Sequence, residues 1–220
     1  MLERAREVTR DGEYTALEYV RFADDLVVFV DGRTCHDWLL EAVQKRLRQE
    51  LAKLQVEVNE EKTRTVDLKR GERFGFLGFD FRRVRSLKGR WRAQCTPKLK
   101  KRTALLRSLK AEFRRGRSQP VKVLIQRINP KLRGWVNYFA VGHSARCFSY
   151  IQNWVEKKVR RHLMRNAKRR GVGWRRWSRE WLYRTLGLFT DYRVRPLSAV
   201  LTFRFRFATV AERPRSSRQS

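Results

Sequence analysis

The chain is poor in the residues that mark disulfide-stapled, zinc-bound or membrane-embedded proteins. Its 3 cysteines, Cys35, Cys95 and Cys147, are odd in number, far apart and without Cys-x-x-Cys spacing, so neither a disulfide framework nor a zinc site is indicated. A reducing compartment fits best. No stretch approaches the ~18 apolar residues of a membrane span, and residues 1–7 lack the apolar segment of a signal peptide, so a cytoplasmic protein with no membrane partner is expected. Acids are scarce as well. Against 22 Asp and Glu stand 53 Lys and Arg, and a net charge of +31 goes far beyond what solubility needs and predicts a polyanionic partner.

Aromatics are not lacking. They make up 12% of the chain, with 7 tryptophans, which excludes a wholly disordered basic tail, and 220 residues suffice for one or two domains with a real core. The charge is unevenly spread. Residues 1–60 hold 9 basic and 13 acidic groups, whereas residues 61–220 hold 44 basic and 9 acidic ones.

The acids gather around Asp24 and Asp25, which lie between two runs of apolar, β-branched and aromatic residues, Tyr19 to Phe22 and Leu26 to Val30. This predicts two antiparallel strands with the aspartates at or near the turn. One reading is an acidic β-turn, since Asp bonds its own backbone in turns. The other is a rigid tip presenting hard oxygen ligands to Mg²⁺, as phosphoryl transfer with two ions roughly 4 Å apart requires.

Downstream, Leu39, Leu40, Val43, Leu47, Leu51 and Leu54 recur at helical spacing and predict an amphipathic helix packed by its leucine face. A short strand at 55–58, a polar turn from Asn59 through Lys62 to Thr63, and extended residues 64–68 should follow. Phe74 to Phe81 alternates aromatics with Gly75 and Gly78, and interior glycines suit either a tight bulge or the close approach of another backbone or ligand. Residues 82–92 read as a basic ribbon with a turn at 87–90.

From Lys98 the pattern is helical. A first helix carries Leu99, Leu105, Leu106, Leu109 and Phe113 and stops at Gly116; a second starts near Pro120 and ends in a turn at Asn129-Pro130. A third covers about residues 147–165, and a last one opens with Trp174, Trp177 and Trp181 and runs to Leu186. Residues 201–207 alternate briefly before a Ser/Arg tail expected to be disordered. Basic groups interleaved with aromatics suit phosphate contact plus base stacking, while tryptophans at helical spacing also suit a plain core. The candidate RNA contacts are Lys98, Lys100, Lys101 and Arg102, then Arg133, then Lys157, Lys158, Arg160 and Arg161 on an outward face, then Lys168, Arg169, Arg170, Arg175 and Arg176.

Three polar stations, Phe22-Ala23-Asp24-Asp25, Asn59-Glu60-Glu61-Lys62-Thr63 and Phe76-Leu77-Gly78-Phe79, resemble in order and setting the palm of bacterial group II intron reverse transcriptases. Residues 97–195, above all Leu132-Arg133-Gly134-Trp135-Val136-Asn137-Tyr138-Phe139, resemble the thumb, or maturase-specific domain X, of that family. The resemblance implies an α+β chain: a partial palm of antiparallel hairpins plus a helix at 1–96, an all-α thumb at 97–195, and an unassigned, disordered tail at 196–220. It implies that Asp24 and Asp25 are the catalytic, metal-holding pair, that Asn59 and Lys62 lie near nucleotide and template, and that Phe76, Leu77, Gly78 and Phe79 form the primer grip.

The family's fingers and first catalytic aspartate lie upstream of the hairpin, and only 23 residues precede Asp24. A two-metal Mg²⁺ site is therefore expected to be incomplete. The expectation is a fragment of an RNA-directed DNA polymerase and maturase that binds group II intron RNA, and by family an RNA template with a DNA primer. It should assist splicing without polymerising alone, with a separate chain supplying the fingers and the rest of the palm in a split enzyme. A non-catalytic RNA-binding splicing factor or chaperone, and the product of a decayed gene, are the alternatives.

Overall fold

The computed structural model describes residues 17–23, 25–31, 37–55 and 63–195, together with the backbone of residues 205–211. Asp24, Asn59 and Lys62 lie outside the described residues, as does most of the strand expected at 55–58. The chain divides into two compact units, one of residues 1–94 with 201–220 and the other of residues 95–200. The architecture is mixed α+β, with antiparallel sheets and a run of helices.

In the first unit, β1 (Leu17–Phe22) and β2 (Asp25–Asp31) form a hairpin whose pairing runs from Leu17 with Val30 to Phe22 with Asp25. Alternate side chains of a strand face opposite ways, and β2 is apolar on both faces. Val27 and Phe29 pack with Val66, Leu68, Phe74 and Phe76. Val28 and Val30 pack with Leu17, Val43, Leu39 and Leu40, the last three from α1 (Asp37–Lys53). The leucine stripe of α1 therefore covers one side of the hairpin strand.

β2 does not pair with β3 (Arg64–Asp67). Between them runs β7 (Phe205–Ala211), antiparallel to both, in the order β1-β2-β7-β3. Residues 205–211, expected to lie in an unassigned, disordered tail, are thus a strand. Strand pairing across the sequence is not signalled locally, and only the alternation at 201–207 hinted at it. A second sheet joins β4 (Arg73–Phe76), β5 (Phe79–Arg85) and β6 (Trp91–Pro97). The Ser86 to Arg90 loop closes its basic ribbon.

The second unit is built on α2 (Leu99–Arg115), α3 (Val121–Tyr138) and α4 (Ala145–Asn166). Leu109 of α2, Leu124, Ile128 and Leu132 of α3, and Phe148, Ile151, Val155 and Val159 of α4 are all buried. The expected turn at Asn129-Pro130 is absent, because α3 runs through Pro130. An interior proline costs a helix about 3 kcal/mol. The apolar stripe here continues past it through Leu132 and Val136, so burial on the far side offsets the loss. Asn129 instead clasps the turn after the last helix. Its amide donates to the Gly187 carbonyl and its oxygen accepts from the Phe189 amide.

That last helix, α5, is only Arg179–Arg184. The expected start at Trp174 is corrected, because Ser178 adopts an extended N-cap conformation and accepts from the Trp181 amide. Trp174 and Trp177 belong to the preceding turns.

Candidate nucleic-acid interface

The acidic hairpin carries the carboxylates that the sequence marks for metal chemistry. Phe22 pairs with Asp25, and Ala23 after it has φ 50. Asp25 is half-buried at the start of β2. The second hairpin turns at Leu77-Gly78 with φ 47 and 81, the double left-handed geometry of a tight turn that favours glycine at its second position. Gly78 is thereby explained without a ligand. Phe76 and Leu77 of this hairpin belong to the same apolar cluster as Val27 and Phe29 of β2, the strand that opens with Asp25. No group of three His, Cys, Asp or Glu gathers among the described residues.

The second unit concentrates the cations. Lys100 and Lys101 on α2, Arg133 on α3, and Lys157 and Arg161 on α4 are exposed, as are Lys168, Arg169, Arg170, Arg175 and Arg176 beyond α4. Lys98 is half-buried before α2. Arg102 is half-buried too, its guanidinium 4.3 Å from the centre of the Tyr150 ring. Lys158 lies 5.3 Å over Trp154, and burial first, then Arg161 and other neighbouring cations, lower its pKa.

Arg160 does not belong to the outward-facing set. It is 1% exposed, and its Nη1 donates to the fully buried Glu156 at 3.1 Å while its Nε donates to the Trp177 carbonyl at 2.9 Å. The other oxygen of Glu156 accepts from Arg179 at 2.8 Å and from the Tyr183 hydroxyl at 2.6 Å. Tyr183 is held well above the usual phenol range by burial and then by that carboxylate. Sequence reading passed over Glu156, although its i,i+4 spacing to Arg160 beside the Val155 and Val159 row was the available signal.

The buried pair organises what lies above it. Arg160 sits 4.0 Å from the centre of the Trp174 ring, and Trp174 is 51% exposed. Here Met164, Arg169, Gly173, Trp174, Arg175 and Arg176 line an open cleft of about 470 Å³. Residues 102–183, which include α3, α4 and this cleft and nearly all of α2, match the family model described as group II intron, maturase-specific domain. This segment is a group II intron maturase-specific domain. The match indicates a maturase function related to group II intron splicing. Among curated proteins, none matches the chain. No helix among the described residues of the maturase-specific domain, or of the rest of the chain, is long and apolar enough to cross a membrane.

Proposed function

We propose that this protein binds group II intron RNA through the exposed lysines and arginines of its maturase-specific domain and thereby assists splicing. The observation that carries the reading is the family match at 102–183, a stretch whose exposed lysines and arginines stand against only three acids, Glu112, Glu156 and Glu180. Basic groups on a folded helical frame neutralise phosphates and release counterions, which makes binding steeply salt-dependent. Filter binding of a transcribed group II intron tests this. The slope of log affinity against log salt should be about −0.7 to −0.9 for each phosphate neutralised, and reach several units. A flat slope, or equal affinity for a neutral-backbone analogue, overturns the proposal.

A second reading concerns the first unit. We infer that it is a partial reverse-transcriptase palm, supported by the shared core of the Asp25 strand and the Phe76 to Phe79 hairpin. In that reading Asp24 and Asp25 are metal-side carboxylates, Asn59 and Lys62 approach nucleotide and template, and Mg²⁺ is the ion. Carboxylate oxygens suit that hard cation, so the chain should bind Mg²⁺ and Asp25→Asn should weaken the binding. Mg²⁺ binding unchanged by Asp25→Asn sinks that reading.

A further inference from the structure

We propose that the cleft at Trp174 is a stacking site for one unpaired nucleotide of an RNA strand, with Arg169, Arg175 and Arg176 holding its flanking phosphates. The inference rests on the RNA-binding reading above and adds a defined subsite and ligand chemistry to it. A large exposed indole is unusual unless something covers it in use. Trp174 is not a loose surface ring. The buried Arg160 guanidinium lies 4.0 Å from the ring centre, and that cation is itself fixed by Glu156 and the Trp177 carbonyl. One face of the indole is thus occupied by a positioned, charge-paired group, while half of the residue remains exposed and lines the cleft.

The backbone before it is equally constrained. Gly173 has φ +77, and a Cβ there would meet the Trp177 ring at 2.7 Å and Met164 Cγ at 3.1 Å. Only glycine lets the chain lie flat on Trp177 and aim the next residue outward. A volume of about 470 Å³ suits a single nucleotide rather than a duplex groove, being within the usual ~300–1,000 Å³ of small-ligand sites. Arginines at the rim match phosphate in geometry and charge, and an aromatic face accepts any base. The combination selects unpaired strands, because a base within a duplex offers no free face.

The probe is an oligouridylate of about ten nucleotides, a length within known single-strand site sizes, carrying one central 2-aminopurine whose fluorescence falls when its ring stacks. The full chain should bind it and quench it. Trp174→Ala should lose the quench and weaken binding by about 5- to 150-fold, and Trp174→Phe should restore most of both. The triple change of Arg169, Arg175 and Arg176 to Ala should flatten the salt slope by about 2 at ~0.7 per single-strand phosphate. Thermal melts of the variants confirm an unchanged fold, as expected for exposed side chains. Undiminished quenching by Trp174→Ala overturns the subsite while leaving RNA binding intact. Failure of the unaltered chain to bind either this probe or intron RNA overturns both readings.

Discussion

The two units of the molecule are held together in opposite ways. The helical unit is closed by neighbours in sequence: α2, α3 and α4 follow one another and bury a continuous stripe from Leu109 to Val159. The β-rich unit depends on a partner from far along the chain, since the backbones of β2 and β3 are hydrogen-bonded only through β7. Local helices can form and pack early, whereas a strand that must return across the sequence contributes only once the loop is closed. The acid-bearing hairpin thus sits on the conditional part of the protein, and the cationic surface on the self-sufficient part.

Removing residues 196–220 puts this contrast to its severest test. The first sheet would lose every backbone hydrogen bond that β7 makes on its two sides. At about 1 kcal/mol net per bond, the loss should exceed what a small sheet can spare. Hydrogen exchange should then show amides of β2 and β3 unprotected while α2 to α4 keep their protection. Equal protection in both units would mean that the units are not held so differently.

Next in size is a cut inside the helical unit. Glu156→Ala leaves Arg160 buried without its counter-ion, and breaking such a pair costs about 3–5 kcal/mol. Arg179→Ala should cost far less, because that side chain is 56% exposed and its pairing is solvent-screened. A denaturant series on the two variants checks the ranking, and a reversed order would remove the buried pair from the centre of the unit. The difference between the units can also be widened by strengthening a helix. Gly134 lies within α3 without strained backbone, and a Cβ there meets nothing within 4 Å. Gly134→Ala should therefore raise the melting temperature, through a gain of about 0.5–1 kcal/mol in stability.

The smallest effect is acid sensitivity. His162 is buried with Nε2 3.3 Å from the Gln119 carbonyl and 3.1 Å from the Asn166 amide, and burial lowers its pKa from 6.5. A base with a depressed folded pKa takes up its proton first in the unfolded chain. Stability is therefore full above about pH 6.5 and is lost as pH falls toward the lower folded value. The melting temperature should decline modestly between about pH 7 and 5, and His162→Gln should flatten that decline. Glu112, lowered chiefly by its hydrogen bond to Lys131, adds its own loss only below its ordinary 4.5.

What could be read from the residues follows the same division. The leucine rows of α1 and α2 and the turn at 87–90 are local signals, and the structure has these elements there, although Leu54 falls past the end of α1 and, like Leu99, is exposed. Pro130 was misleading because a local breaking tendency was outweighed by burial on both sides of it. The Trp174 to Leu186 helix was overextended because tryptophan spacing said nothing of the Ser178 cap. β7 left only a few alternating residues as a trace. Arg160 and Arg161 are adjacent and chemically identical; one is interior and one exposed, and only the buried carboxylate one turn earlier separates them. The cleft at Trp174 needed Gly173, Arg160 and Glu156 in three dimensions, which no window of sequence displays.

A ribosome delivers β3 well over a hundred residues before β7. At ~5–20 residues per second, the nascent sheet stays ajar for roughly seven to thirty seconds with two strand edges uncovered. Newborn chains pass through an interval in which a neighbouring polypeptide, or a chaperone, can claim that slot before the protein's own tail arrives.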